Sequence, residues 1–250
     1  MCIIAIQYEK NKKQMTIAAN RDEFYERPTA PIHEWQVDGT TIYGGRDLKE
    51  GGTWLAVNEA GHFVAITNYR DPKLEQLKPR SRGQIATDFL TKGVSAKQFA
   101  EQLQNNRDLY GPFNVLLYDR EQLMHYNNVT NALRQVESGI HVLCNATLNT
   151  SWPKVERLRE SFTAALHQPS NEAFLHILHD TNKASVDALP NTGIGEEMEL
   201  ALSSIFIRLP NYGTRCSTIG RITPHKVTLH ELTYERGEKG SQHIIAFESK

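Results

Sequence analysis

The chain has 250 residues, of which 39% are hydrophobic, and its 28 Lys and Arg nearly balance its 29 Asp and Glu. A chain of this length buries roughly three quarters of its unfolded surface, so it can form a large core without disulfides or metals. Because the net charge is close to zero, the sequence offers no broad positive field for nucleic acid or an anionic membrane surface. We therefore expect a small-molecule partner and no nucleic-acid partner.

The first third of the chain reads as two β-hairpins. An apolar run at 2–8, a charged turn and a second apolar run at 15–19 predict the first hairpin. The runs at 53–58 and 62–68 predict the second one. The first run is too short for a secretory signal, and no stretch approaches the ~18 apolar residues of a membrane span. We expect a cytoplasmic protein without a membrane span.

Helices and strands then alternate in blocks. Ser81 and Ser95 each stand three residues before a Gln, which is the form of a capping box ahead of a helix. Ser151 is predicted to cap a helix with Pro153 in its first turn. Further helix is expected at 172–179 and 196–203. Strands are predicted at 113–118, 122–126, 132–136, 140–144, 205–209, 217–223, 227–234 and 244–247.

This order is not the strict alternation of a βαβ fold. Hairpins, helices, strands, helices and strands in succession predict an α+β layered sandwich of antiparallel sheets covered by helices. The sequence has no internal repeat and no Pro- or Gly-rich linker, which favours a single domain over residues 1–250. The glycines at 44, 45, 51 and 52 match no phosphate-loop motif, and we interpret them as a turn before the strand that starts at 53.

Few residues suggest a metal or a disulfide. The three cysteines at 2, 144 and 216 are an odd number without CxxC spacing, which indicates free thiols in a reducing compartment. His176 and His179 would share a helix face with Asp180 beside them, but no third metal ligand stands at a telling distance. We expect a solvated helix face there and no metal site.

Cys2 is the most informative residue. Aminopeptidases remove an initiator Met when the next residue is small, and this would leave Cys2 with a free α-amine. The reference pKa of such an amine is about 7.7–8.0, so the amine can accept the proton of its own thiol. One residue then supplies both nucleophile and base, as in N-terminal nucleophiles. The alternative interpretation is a small core residue.

Four polar residues follow the second predicted strand: Asn20, Arg21, Asp22 and Glu23. The hairpin returns this strand beside the first one, so its far end lies near Cys2. A guanidinium there would lower the pKa of the thiol, and a carboxylate would orient the α-amine. The alternative is a strand-to-loop transition with solvated side chains.

Further short motifs accompany Met1-Cys2 and Asn20-Arg21-Asp22-Glu23 in a fixed order along the chain. They are Gly44-Gly45-Arg46-Asp47, Gly51-Gly52-Thr53-Trp54-Leu55, Thr67-Asn68-Tyr69-Arg70, Asn145-Ala146-Thr147-Leu148, Trp152-Pro153-Lys154-Val155 and Tyr212-Gly213-Thr214-Arg215. With these motifs the sequence resembles the NRDE family, also known as the transport and Golgi organisation family. The fold of that family resembles the N-terminal nucleophile (Ntn) hydrolases, which implies a four-layer αββα sandwich.

The resemblance implies a set of catalytic roles, by analogy with cysteine Ntn hydrolases such as penicillin V and bile-salt amidases. Cys2 resembles their nucleophile, and Arg21 with Asp22 resembles the partners of its thiol and amine. Asn68, Asn145 and Arg215 resemble, in that order, two amide donors near the oxyanion and a late arginine. The implied activity is hydrolysis of a non-peptide linear amide, with no cofactor required.

Two departures from the hydrolase pattern bear on these roles. Arg21 and Asp22 are adjacent, and neighbours on a regular strand point to opposite faces, so both face Cys2 only if the strand ends or bulges there. Cys144 and Cys216 stand where family members often carry Ser. We interpret both as small buried hydrophobic residues, although either thiol could border the pocket.

The resemblance also leaves a second class of function open. The family has been linked to haem mobilisation and lipid handling, so a non-catalytic haem or lipid carrier with the same fold is the alternative. Haem would need an axial His, Cys or Tyr, and the sequence selects none of its many candidates.

Overall fold

The computed structural model describes residues 2–74 and 78–249. No helix within these ranges is long and apolar enough to cross a membrane. The strands are β1 Cys2–Glu9, β2 Gln14–Phe24, β3 Thr29–Val37, β4 Thr40–Asp47, β5 Leu55–Asn58, β6 Phe63–Asn68, β7 Phe113–Tyr118, β8 Leu123–Asn127, β9 Ala132–Val136, β10 Gly139–Leu143, β11 Tyr212–Ile222, β12 Lys226–Glu235 and β13 Glu238–Glu248. The helices are α1 Arg82–Lys92, α2 Ala96–Asn105, α3 Pro153–Ala165, α4 Asn171–Leu178 and α5 Glu196–Ala201, with short 3₁₀ turns at Lys10–Lys12, Arg107–Leu109 and Val186–Ala188.

The strands form two antiparallel sheets. The first has the order β10-β1-β2-β11-β12-β13, and the second has the order β3-β4-β5-β6-β7-β8-β9. In the first sheet, β2 lies between β1 and β11 and pairs with both of them. The N-terminal strand is therefore covered on both edges, by β10 and by β2.

Alternation along β1 shows how the layers are arranged. Ile4, Ile6 and Tyr8 point into a core shared with the second sheet, whereas Ile3 and Ala5 pack with residues of α3 and α4. This is the period of two that a strand buried on both faces requires. The helices α1 and α2 cover the outer face of the second sheet. The molecule is thus an αββα sandwich, which confirms the predicted α+β fold.

Most predicted elements are confirmed. Both N-terminal hairpins form, and the strands predicted at 113–118 and 132–136 have the predicted bounds. Ser95 forms a complete capping box with Gln98 at the start of α2. Ser81 caps α1 through a simpler bond, in which its hydroxyl accepts from the backbone N–H of Gly83.

Other predictions of local structure are wrong. The segment 205–209 is not a strand: residues 205–207 form a buried loop beside β11, and Arg208 makes only an isolated bridge with Gly213. Ser151 does not cap α3: its N-cap is Trp152, which makes no side-chain cap bond, while Pro153 occupies the first turn.

The strands β3 and β4 were absent from the prediction, and Gly44 and Gly45 lie inside β4 rather than in a turn. A Cβ on Gly45 would lie 2.3 Å from the ring of Trp54, and one on Gly44 would lie 2.6 Å from Cβ of Ala56. These glycines therefore serve close packing within a strand. Their presence is what obscured the strand pattern of residues 40–47.

A second close approach joins the loop before β5 to the start of α1. A Cβ on Gly52 would lie 2.4 Å from the backbone carbonyl carbon of Gly83, and the N–H of Thr53 donates to the carbonyl oxygen of Gly83 at 3.4 Å. The backbone contact requires glycine at position 52 and sets the distance between helix and sheet.

We predict that Gly52→Ala destabilises the fold by roughly 2–3 kcal/mol, because the added methyl group displaces backbone. Gly93→Ala is the control: Gly93 has a φ of +62° but no atom within 4 Å of its added Cβ, so only about 1 kcal/mol should be lost. Denaturant unfolding measures both losses. An equal or smaller loss in Gly52→Ala would contradict the close approach.

Candidate active site

Strand register places Arg21 between two thiols. Arg21 on β2 pairs with Cys2 on β1 and with Cys216 on β11. Directly paired residues of antiparallel strands share one face of the sheet, so the guanidinium and both thiols project between the two sheets. Cys2, Arg21 and Trp54 line a small cavity there.

Arg21 is held by uncharged neighbours. Its Nη1 donates to Oγ1 of Thr29 at 3.0 Å, and its guanidinium carbon lies 4.1 Å from the centre of the Trp54 ring. Among the residues that the structure describes, no carboxylate forms an ion pair with it. The charge of this buried arginine is therefore available to an anion beside Cys2.

The thiol of Cys2 is strongly shielded from water. The pKa of the Cys2 thiol is raised to about 11, mainly by burial and also by the nearby Asp22 carboxylate, while the Arg21 charge and the backbone N–H of Asp22 act to lower it. Without a base, the sulfur is a thiol at neutral pH. The α-amine discussed above is such a base once Cys2 begins the chain.

Asp22 leaves β2 on the opposite face from Arg21, since β2 continues without a break to Phe24. Its Oδ1 accepts from the hydroxyl of Thr214 at 2.8 Å. Burial raises the pKa of the Asp22 carboxyl, and the charges of Lys154 and Arg70 oppose that rise. Both Arg21 and Asp22 nevertheless line the cleft at Cys2, because this cleft opens where β1 starts.

This cleft, the Cys2 cleft, has a volume of about 330 Å³. One wall is formed by the end of β2 and by Trp54, and the other by Asn68 and the segment that leads into α1. The residues that line it are Cys2, Arg21, Asp22, Glu23, Arg27, Asp47, Glu50, Thr53, Trp54, Ile66, Asn68, Lys78, Pro79, Arg80, Ser81, Arg82, Gly83 and Gly111.

The two predicted amide donors have different surroundings. Asn68 lines the Cys2 cleft, and its side-chain amide forms no hydrogen bond with any described residue. Asn145 is fully buried: its Oδ1 accepts from the Cys144 thiol at 3.2 Å, and its Nδ2 donates to the backbone oxygen of Asn68 at 3.0 Å. The Asn145 amide thus holds Asn68 in place, while the Asn68 amide faces the cleft.

The loop of Asn145 is tied to β6 by further bonds. The N–H of Arg70 donates to the backbone oxygen of Asn145 at 2.7 Å, and the hydroxyl of Thr67 donates to the backbone oxygen of Cys144 at 2.6 Å. Together these bonds fix the backbone on both sides of Asn68. Asn145 is therefore a positioning residue in this geometry.

Arg215 is not brought into the Cys2 cleft. The register between β2 and β11 shifts between Thr214 and Cys216, so Arg215 is the extra residue of a β-bulge. Its Nη1 donates to the backbone oxygens of Phe24, Tyr25 and Arg27. Arg215 lines a second cleft, the Cys216 cleft, on the other side of Trp54. Burial, followed by the charge of Arg21, lowers the pKa of the Arg215 guanidinium.

A buried cluster of charges stands behind Asp22. Nη1 of Arg70 lies 2.7 Å from Oε2 of Glu199, and both side chains are at most 5% exposed. Oε1 of Glu199 accepts from the N–H of Thr192 at 2.8 Å, and Nζ of Lys154 donates to the backbone oxygen of Leu202 at 2.9 Å. Two cations, Arg70 and Lys154, therefore face two anions, Asp22 and Glu199.

Sequence reasoning assigned no role to Arg70, Lys154, Trp54 or Thr214. Each of them belongs to a motif that carried the family resemblance. The structure shows that these motifs, far apart in sequence, converge on Asp22 or Arg21. Membership of these motifs was the signal in the sequence that could have identified the four residues. Glu199 lies outside them, and nothing in its sequence context distinguishes it.

The donors in these clefts do not fit a haem iron. No histidine lines either cleft in the described ranges. The candidate axial ligands are two thiols and two phenols, and burial raises the pKa of each one, which disfavours the anionic form that binds iron. They are Cys2, Cys216, Tyr25 and Tyr234. No group of three or more His, Cys, Asp or Glu among the described residues could hold a metal ion.

Comparison with known proteins supports the family resemblance and the fold. A family model described as TANGO2, Transport and Golgi organisation 2, matches residues 1–236. The human Transport and Golgi organization protein 2 homolog is 32% identical over 244 residues, covering 88% of this chain and 87% of that protein. The Drosophila melanogaster Transport and Golgi organization protein 2 is 25% identical over 253 residues, with the same coverage of both chains.

Among solved structures, two mutant forms of a conjugated bile acid hydrolase from Clostridium perfringens are similar. Their TM-scores are 0.56 and 0.53, with 11% and 12% sequence identity, and each comparison covers 98% of this chain and 92% of the other. At such low identity the similarity is one of fold. It places the chain among proteins with the Ntn-hydrolase architecture.

We predict that Glu199→Ala lowers the free energy of unfolding by about 3–5 kcal/mol, because it leaves the Arg70 charge buried without its partner. Glu238→Ala is the matched control: its ion pair with Arg208 is 2.8 Å long but exposed, so less than about 1 kcal/mol should be lost. Equilibrium denaturation by urea measures both. Similar losses in the two variants would contradict a buried Arg70–Glu199 pair.

Proposed function

We propose that this chain, which belongs to the Transport and Golgi organisation 2 (TANGO2) family, is an N-terminal-cysteine hydrolase of a non-peptide linear amide. One observation carries the proposal. The Cys2 thiol lies at the start of β1, in a cleft with Arg21, which has no carboxylate partner among the described residues, and with Asn68, whose side-chain amide forms no hydrogen bond to any of them. The fold similarity to an enzyme named conjugated bile acid hydrolase supports hydrolysis as the class of reaction.

The nucleophile requires removal of Met1. Cys2 then carries an α-amine, which takes the thiol proton as the sulfur attacks the substrate carbonyl carbon. Transfer within one residue overcomes the high pKa that burial gives the thiol. The Arg21 guanidinium stabilises the developing thiolate, because its charge is not neutralised by a carboxylate. Asp22 orients the ammonium group, and Lys154 and Arg70 favour the ionised form of Asp22.

Attack converts the carbonyl oxygen into an oxyanion. The Asn68 amide donates to this oxygen, which lowers the barrier by about 3–4 kcal/mol when the donor is fixed in advance. Asn145 fixes it by holding the Asn68 backbone. The carbon–nitrogen bond then breaks, and the α-ammonium passes its proton to the leaving amine. Water attacks the resulting thioester, which releases the carboxylic acid and restores Cys2.

We predict that the purified protein lacks Met1 and that iodoacetamide labels Cys2. Turnover of one or more members of a panel of acyl amides should be lost in Cys2→Ala, because the only sulfur at the start of β1 is removed. Mass spectrometry of the intact protein detects the loss of Met1, and mass spectrometry of its peptides detects the label on Cys2. Either an intact Met1 or an unlabelled Cys2 would contradict the mechanism. Saturable ligand binding without turnover would instead support a carrier.

The pH dependence of labelling tests the role of the α-amine. In protein that retains Met1, the rate of Cys2 alkylation should rise about tenfold per pH unit from pH 7 to 10, because the thiol pKa is about 11 and only the thiolate reacts. In processed protein, the amine takes the proton and the reaction at pH 7.5 should be faster. Equal rates in the two forms would exclude the amine as base.

We predict that Asn68→Ala lowers kcat roughly 10²–10³-fold with a smaller change in KM, because the lost amide donates mainly to the transition state. Alkylation of Cys2 should stay within about threefold of the unaltered protein, since the thiol and its amine are untouched. Hydrolysis of the responsive acyl amide measures the first effect. Unchanged kcat would remove Asn68 from the oxyanion site.

A further inference from the structure

The Cys216 cleft is larger than the Cys2 cleft and does not contain Cys2. Its volume is about 630 Å³, and Trp54 forms a wall that both clefts share. The residues that line it are Tyr25, Glu26, Thr29, Pro31, Trp54, Arg215, Cys216, Glu231, Thr233, Tyr234, Glu235, Arg236, Gly240 and Ser241. Nothing in the hydrolysis described above uses this space.

The cleft contains a half-buried charge without a counterion. Four other arginines that are largely shielded from water have a carboxylate partner: Arg27 with Asp47 at 2.5 Å, Arg70 with Glu199 at 2.7 Å, Arg157 with Asp180 at 3.2 Å and Arg159 with Glu156 at 3.5 Å. Arg215 has no such partner among the described residues, although it is half-buried, as Arg27, Arg157 and Arg159 are.

The hydrogen bonds of Arg215 leave most of its donors unused. All three backbone oxygens that it contacts are bound by Nη1, and neither Nε nor Nη2 donates to a described residue. The bonds to the loop at 24–27 therefore occupy only Nη1 of the guanidinium. The remaining edge carries N–H groups in the fork geometry that matches a carboxylate or a sulfonate.

The surroundings add positive charge. Arg21, also without a carboxylate partner among the described residues, stacks on Trp54, and after burial its charge is the next cause that lowers the pKa of Arg215. Two like charges near each other in a partly dry site are unfavourable, and an anion between them relieves both. The positive charge is local to the Arg215 guanidinium, because the exposed carboxylates of Glu26 and Glu235 also line the cleft.

The buried acid of the cleft does not supply that anion. Oε1 of Glu231 accepts from the N–H of Ile32 at 2.8 Å, and Oε2 accepts from the hydroxyl of Thr218 at 3.1 Å. The Cys216 thiol donates to the same carboxyl group. Glu231 is therefore committed to its own neighbours, and it forms no ion pair with Arg215.

Three rings supply the flat apolar part of a wall that is otherwise polar. Tyr25, Pro31 and Trp54 present ring surfaces, and the Arg236 guanidinium lies 5.5 Å from the ring of Tyr25. We propose that the Cys216 cleft binds an organic anion, with its carboxylate or similar acid group on Arg215 and its apolar body against Trp54 and Tyr25. This site does not depend on the proposed hydrolysis.

Two fluorescent dyes of similar shape test the proposal. The first, 8-anilinonaphthalene-1-sulfonate, is an anion, and the second, N-phenyl-1-naphthylamine, lacks the sulfonate. Fluorescence titration of the full-length protein should show saturable binding of the anion, at least tenfold tighter than that of the neutral dye. Absence of saturable binding, or equal affinity for the two dyes, overturns the proposal.

Variants locate the binding. Arg215→Gln should weaken anion binding at least tenfold, and circular dichroism with thermal unfolding checks its fold. Because Arg215 also clamps a loop, a second pair keeps the test independent of it: Ser241→Glu adds a negative charge on an exposed strand, and Ser241→Gln is its neutral match. Ser241→Glu should weaken anion binding at least tenfold, and Ser241→Gln should weaken it less than twofold. Neither variant should change binding of the neutral dye more than twofold.

The Cys2→Ala variant tests whether anion binding is independent of the proposed hydrolysis. Anion binding should remain within twofold in Cys2→Ala, whether or not the unaltered protein hydrolyses an amide. Loss of binding in Cys2→Ala would place the anion in the Cys2 cleft and overturn the proposal. Anion binding that is unchanged in both Arg215→Gln and Ser241→Glu would overturn it as well.

Discussion

The register of β2 between β1 and β11 is the constraint on which both clefts depend. It places Arg21 opposite Cys2 on one side and opposite Cys216 on the other. Because the side-chain period of a strand is two, a slip of one residue would turn Arg21 toward the helices and Asp22 toward the second sheet. The buried residues on both faces of β1 and β2 prevent such a slip, since each alternate set fills a different core.

The bulge at Arg215 interrupts the pairing of β11 with β2. It turns Arg215 away from the residues that this register brings together. It inserts one residue into β11, so that Thr214 still reaches Asp22 while Cys216 still pairs with Arg21. The inserted residue is turned away from the pairing, toward the loop at 24–27. The bulge thus lets β11 contact both faces of β2, and it places Arg215 in the Cys216 cleft.

Much of the fold followed from sequence pattern. The N-terminal hairpins were evident because apolar alternation and turn residues agree there. The sequence did not predict a strand at 40–47, because Gly44 and Gly45 are typical of turns. Their role in the structure is close packing against Trp54 and Ala56, which no local pattern shows. The segment 205–209 failed for the converse reason: its apolar residues are buried by tertiary packing and not by strand pairing.

The candidate site was predictable to a similar degree. The proximity of Arg21 to Cys2 followed from the hairpin alone. The position of Arg215 did not, because a bulge leaves no reliable mark in one sequence. The separate surroundings of Asn68 and Asn145 also could not be foreseen, since they depend on a tertiary contact in which the buried Asn145 amide donates to the backbone oxygen of Asn68, while Asn68 itself lines the cleft. Asn145 follows a cysteine whose thiol fixes its orientation, which is a purely three-dimensional fact.

Charge pairing distinguishes Arg70 from Arg21 and Arg215. Arg70 and Glu199 are almost fully buried, and their mutual attraction offsets the loss of hydration that each suffers. Arg21 is buried to a similar degree and Arg215 is half-buried, and neither has a carboxylate partner among the described residues. Burying such a charge is unfavourable unless another interaction offsets it. In the two proposals an anion supplies that interaction: the thiolate of Cys2 at Arg21, and the acid group of a ligand at Arg215. One strand register thus brings two arginines without a carboxylate partner among the described residues to two neighbouring clefts, for which we propose separate chemistry.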